Sequence, residues 1–404
     1  MTGQHAYVLY ETQIGVENTP GTAVGANVIL RSFEILPKPV NATEMLRQMG
    51  SKISTDQVAV KGSKTDAKIQ GFADFNGLAY LHSMLLKVGT VTTPTGGTIS
   101  RQWQWLLQAR QPEFPATATV ENGVITLDVG RFACGNLTSL KADFELKTAP
   151  KLSGDMLGTL FAEEGVTPTA NPTEVPCVPC PGGFTDYYLG DTLAAVTTGT
   201  PIRAADVMKG SFDIGGRRKD VYSQRSDQVS FSGLVETENK VTVHLELEKN
   251  SVADTLMRQA RQAKTRYIRL VTTGPIIEGT IAYLWEIIMP FKVSSPDRGN
   301  SDDVYCAMYD LECVNDPVSL GGYLQIRLIN TLTVLAPSVD LPAAQQPAAL
   351  IAAALIANGT GSFATTDNAG FGYHPYQTPT QIQSSVAGAP VALPAQTTTL
   401  GQGN

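Results

Sequence analysis

The chain has 404 residues, 42% hydrophobic and 17% charged, with a net charge of −7. That length accommodates two ordinary domains and a remainder, and so sparse a charge suits a surface buried among copies of itself. The acidic balance and the lack of a basic block argue against wrapping nucleic acid by neutralising phosphates. No apolar run reaches ~18 residues, so no membrane span is expected. The opening Met1-Thr2-Gly3-Gln4-His5 lacks the charged-then-apolar pattern of a secretion signal, so none is expected either.

The first expected module covers residues 1–161. Ala67 to Phe75 alternates small or apolar with mostly polar residues, the period of a half-buried strand, and runs through Asn76-Gly77 into a helix from Leu78 to Lys87. Ser100 to Leu106 reads as a further strand. Thr117-Ala118-Thr119-Val120 and Val124-Ile125-Thr126-Leu127 flank Glu121-Asn122-Gly123, which predicts a hairpin turning on Asn-Gly. Leu137 to Leu146 is another alternating strand.

Residues 162–200 read as a semi-rigid linker carrying Pro168, Pro172, Pro176, Pro179 and Pro181. The second expected module covers 201–335. Val241 to Glu248 alternates without an error, and Ser251 ahead of Asp254 resembles a capping box for a helix reaching about Lys264. Strands follow at Arg266 to Val271, Tyr283 to Val293, Tyr305 to Cys313 and Tyr323 to Leu328. Residues 336–404 turn abruptly to Ala, Pro, Thr, Gln and Gly, with one helix expected at Ala348 to Ala357. This low-charge arm needs a partner surface to become ordered.

The second half repeats phrases of the first. Ser32-Phe33-Glu34-Ile35 returns as Ser211-Phe212-Asp213-Ile214, and Thr55 to Gly62 returns as Ser226 to Gly233. Two β-rich modules, each a β-sandwich or small barrel with one flanking α-helix, are therefore expected in tandem.

Motifs for chemistry are sparse. Cys177 and Cys180 have the spacing of half a zinc site, but no second pair completes it, and five cysteines suggest no disulfide framework. His5, His82, His244 and His374 are scattered, and the sequence carries no nucleophile elbow, P-loop or dinucleotide fingerprint. The expectation is a non-enzyme without cofactor or metal. The polar excursions Pro37–Lys68 and Gly215–Lys240 are instead expected to meet neighbouring subunits or rings, through Thr55, Asp56, Gln57, Val58 and Val60 in one and Arg217, Arg218, Ser226, Asp227, Gln228, Val229 and Phe231 in the other.

Taken in series, the opening Ile14 to Val24, the strand, long loop, strand and helix that follow, and the Glu121-Asn122-Gly123 segment resemble the tail tube proteins of long-tailed bacteriophages, in the version with two tube modules per subunit. The resemblance covers roughly residues 7–335. It implies a virion protein, made in the host cytoplasm, whose modules close inter-subunit sheets into rings. Such rings stack into a tube that joins other tail proteins and lets double-stranded DNA pass without specific binding. Two modules per subunit imply a homotrimeric ring with pseudo-sixfold symmetry; a homohexamer is the alternative. A tandem β-sandwich that binds carbohydrate or a surface is the competing reading, hinted at by Trp103 and Trp105 on one strand.

Overall fold

The computed structural model describes residues 11–46, 57–124, 128–145, 148–199, 207–222, 230–249, 251–260, 264–301 and 304–358. The chain is mainly β with few helices, as its alternation predicts. The first half contains β1 (Glu11–Val16), β2 (Val28–Ile29), β3 (Phe33–Leu46), β4 (Gln57–Phe72), α1 (Gly77–Leu85), β5 (Thr90–Thr92), β6 (Arg101–Leu107), β7 (Ala118–Val124), β8 (Asp128–Phe144) and β9 (Lys151–Gly158). The expected linker holds β10 (Thr173–Glu174), β11 (Thr185–Gly190) and α2 (Leu193–Thr198). The second half contains β12 (Val207–Gly215), β13 (Arg218–Val221), β14 (Gly233–Glu236), β15 (Lys240–Glu248), α3 (Ser251–Ala260), β16 (Arg266–Glu278), β17 (Ile281–Ser301), β18 (Val304–Cys313) and β19 (Leu324–Asn330), and α4 (Pro347–Asn358) follows.

Strand pairing runs in the same order in both halves: β1, β7, β8, β9, β4, β3 in one, and β11, β16, β17, β18, β15, β12 in the other. The registers agree as well. Phe72 faces Lys151 where Glu248 faces Cys306, and Asp66 faces Leu157 where Thr242 faces Glu312. The bulge between Leu137 and Ser139 of β8 recurs between Val293 and Ser295 of β17.

These registers do not align the repeated phrases. In the ladders Ile35 faces Ile69 and Gly210 faces Leu245, so Ile35 occupies the place of Gly210 and not of Ile214. Gly62 lies in β4 opposite Ala42, whereas Gly233 opens the separate β13–β14 ribbon opposite Val221. Short strings of strand residues repeat by composition, while the register is fixed by which face each residue buries.

Two further expectations change. Glu121-Asn122-Gly123 is no turn: it lies inside β7, with Asn122 opposite Thr12 on β1 and Gly130 on β8. Its polar side chains are held within the fold. Glu121 accepts from Arg131 Nη2 at 2.8 Å and Thr169 Oγ1 at 2.8 Å, and the Asn122 amide donates to the Ile35 carbonyl. The proline-rich segment is also no free strap. β10 pairs with β2, and β11 pairs with β16 as the outer strand of the second half.

The halves share their hydrogen bonding and their interior. β12 pairs with β8, and β19 pairs with both β17 and β6, so one continuous ladder crosses the chain. A single apolar core spans both halves, from Ile35 and Trp105 to Trp285 and Leu328. Every residue of α1 is buried, the condition expected of a predominantly apolar helix, with His82 and Ser83 as its polar members. Its start is held by Asp74, whose carboxylate accepts from Gly77 N at 2.7 Å, Asn76 N at 3.1 Å and Val178 N at 2.9 Å. A Cβ at position 77 would meet Asp74 Oδ2 at 2.5 Å and so push the capping carboxylate aside.

On α1, His82 is wholly buried between Trp105 and Trp285, with ring centroids 5.3 and 5.9 Å away. Neither ring nitrogen has a hydrogen-bond partner among the described residues, and burial pushes the imidazole down to about 3. The folded state thus keeps His82 neutral below the pH at which the unfolded chain protonates it. Its contribution to stability is complete above roughly pH 6.5 and declines as pH falls towards 3. His82→Leu should remove this slope: between pH 6.5 and 5 the wild type should lose about 2 kcal/mol of unfolding free energy that the variant keeps. Urea unfolding at the two pH values measures the difference.

Candidate assembly interface

The junction between the halves shows how one sheet receives another. The distal part of β8 is paired on both sides: Asp143 faces Lys151 on β9 and Ser211 on β12. Leu140 to Phe144 run antiparallel to Gly210 to Ile214, with Lys141 opposite Asp213. Burial raises the Asp213 carboxyl, and Lys141 and Lys240 pull it back. The apolar side chains Leu140, Ala142, Phe212 and Ile214 are buried at this seam.

The two elements that correspond to β8 and β12 at the outer ends of the chain have no such closure among the described residues. β3 pairs with β4 alone. The distal half of β17, from Lys292 to Ser301, pairs with β18 alone. An exposed sheet margin is a row of unmet donors and acceptors that another strand can satisfy.

Below the junction sits a buried charge cluster. Arg217 is fully buried and pairs with Glu113 and, at 3.3 Å, with Glu236; its Nη1 donates to the Tyr323 hydroxyl at 3.1 Å. Burial raises the Glu113 carboxyl against the pull of Arg217. Arg218 donates to the carbonyls of Leu85 at 2.7 Å, Leu86 at 3.2 Å and Glu113 at 3.3 Å, and burial with Arg217 alongside pushes it down to about 10. Both arginines were expected to face other subunits. Arg218 instead ties β13 to the end of α1, and Arg217 ties the ribbon to Glu113 and Tyr323, because a guanidinium brought indoors needs its donors filled.

The other expected contact residues divide by location. Gln57, Val58 and Val60 lie in β4, opposite Leu46, Met45 and Thr43, so the first excursion is a long continuation of the β3–β4 hairpin. Phe231 is buried. Thr55, Asp56, Ser226, Asp227, Gln228 and Val229 lie outside the described residues. Pro37 to Leu46 of β3 falls within the first expected excursion, whereas distal β17 carries none of the expected contact residues; Leu36-Pro37-Lys38-Pro39-Val40, a strand carrying two prolines, marks an edge strand in the sequence.

A second buried pair fixes the arm. Arg131 and Glu121 are in contact at 2.8 Å, at 0% and 2% side-chain exposure, and Arg131 also donates to the carbonyls of Thr167 and Gln345. Gln346 and Ala23 bond reciprocally at 2.8 Å, docking the start of the arm on the first half.

The remaining candidates are structural. Trp103 and Trp105 are buried, their ring nitrogens donating to the Leu332 and Lys87 carbonyls at 3.0 and 2.9 Å. They form no exposed aromatic platform. Cys177 and Cys180 are free, and Cys180 is buried. Among the described residues no group of three or more His, Cys, Asp or Glu is placed to hold a metal ion, and no helix is long and apolar enough to cross a membrane.

No family model matches the chain, and no curated protein matches it.

The internal place of Arg217 has a measurable consequence. Removing one member of a buried charge pair leaves the other unpaired, so Arg217→Met should cost about 3–5 kcal/mol in the dissociated chain. Urea melts at a concentration where the protein is monomeric measure it. A residue serving only contacts between subunits would leave those melts unchanged.

Proposed function

We propose that the chain is the tube protein of a bacteriophage tail: a structural virion component whose copies close into rings, the rings stacking into a channel for double-stranded DNA during ejection. The observation that carries this reading is the β8–β12 junction. Inside one chain, the first half offers a strand margin and the second half fills it. The chain ends in the same two margins, distal β17 and the outer side of β3, each paired on one side only among the described residues. A subunit whose two ends match the two sides of its own internal seam adds to itself head to tail. Such a heterologous contact closes a ring where the rotation permits.

With two such units per chain, three chains supply six places, which favours a homotrimer with pseudo-sixfold symmetry. Other tail proteins would cap and complete the tube. The acidic balance of the chain suits a channel through which a polyanion slides without being held. Polymerisation and passage need no catalytic group, cofactor or membrane contact. The competing reading as a carbohydrate- or surface-binding protein loses its only support with the burial of Trp103 and Trp105.

Purified protein at rising concentration should form rings with threefold symmetry, or tubes of stacked rings, in negative-stain electron microscopy. A monodisperse monomer at every concentration counts decisively against the reading.

A further inference from the structure

The inference rests on the ring reading and concerns what fixes the joint between copies. Carrying β8 onto β17 by the shared bulge places Leu140–Phe144 on Pro296–Asn300. Carrying β12 onto β3 by their partners on β15 and β4 places Gly210–Ile214 on Ile35–Pro39. In the transposed seam Asp297 stands where Lys141 stands inside the chain, and Lys38 stands where Asp213 stands. The facing opposite charges are kept and their signs exchanged; inside the chain Lys141 acts on Asp213 across the register while its own ion pair, at 2.8 Å, is with Asp143. Lys38 and Asp297 are both exposed, and neither takes part in an ion pair among the described residues.

The backbone of the same seam is poorly equipped. The Ile35 N–H donates to Thr12 Oγ1 at 3.2 Å and its carbonyl accepts from the Asn122 amide, both on the side away from β4. Strand alternation turns residues 37 and 39 to that same open side, and both are prolines without an N–H. Opposite Pro39 the transposed register sets Pro296, so that position has no donor from either strand. Opposite Pro37 it sets Arg298, whose N–H donates within the free chain to Asp297 Oδ1 at 2.7 Å. A margin so short of donors resists indiscriminate strand addition.

We propose that the joint between copies is selected by the side-chain pair Asp297–Lys38 rather than by a backbone ladder. On joining, the Asp297 carboxylate turns to Lys38 of the neighbouring copy, and the Arg298 N–H it releases donates to the Pro37 carbonyl there. Opposite charges at the two ends of each chain also set direction, because a head-to-head approach brings like charges together.

The experiment uses the full chain in sedimentation velocity, with thermal melts to verify folding. Lys38→Asp and Asp297→Lys should each raise the concentration for half-assembly by about tenfold or more, and the double exchange should return it to near the wild-type value. Single variants that assemble like wild type, or a double variant no better than either single one, overturn the joint while leaving the ring reading standing. Wild-type protein that never assembles overturns the ring reading and the joint with it. A variant carrying K38C and D297C together should form an intermolecular cross-linked ladder on mild oxidation, absent from wild type; a chain that assembles without cross-linking also overturns the joint.

Discussion

The fold depends on a shared strand margin. β8 is long enough to pair with β7 at its start, β9 along its distal half and β12 at its end, so the second half is built onto the first rather than beside it. A flexible linker between two closed sandwiches would leave each half to bury its own core. Here Trp105 from the first half and Trp285 from the second both flank His82 on α1, and the core is one. The helix is accordingly buried around its whole circumference, since no side of it is left to solvent.

Charge inside this interior is used to anchor segments that composition alone would leave loose. Arg131 with Glu121 gathers β7, β8, the proline-rich segment and the start of the C-terminal arm around one guanidinium. Arg217 and Arg218 do the same for the β13–β14 ribbon. A buried ion pair adds little net stability over an apolar replacement, yet breaking it is costly. Its value here is positional: each fork of donors admits one arrangement of carbonyls and carboxylates.

The sheet margins show the opposite economy of polar groups. Within the chain, the seam between β8 and β12 is packed with Phe212, Ile214, Leu140 and Ala142. At the ends, Pro37, Pro39 and Pro296 thin the available donors. A surface built this way offers few donors to an arbitrary strand, as the proposed side-chain-selected joint requires.

Much of the local structure was legible in the sequence. Val241, Val243, Leu245 and Leu247 alternate and are the buried face of β15, while the helices at Gly77–Leu85 and Pro347–Asn358 stand where apolar runs between turn residues put them. Those features follow from period and composition, which act over a few residues. The Asn122-Gly123 pair forms no turn because a turn signal is only a backbone permission. It yields when Glu121 and Asn122 find Arg131 and Ile35 across the fold. The repeated phrases suggested that the halves correspond, but only the ladders set Ile35 against Gly210, and only tertiary contact turned Arg217 and Arg218 inward. Burial and register are decided by partners distant in sequence, and no local pattern encodes which partner will arrive.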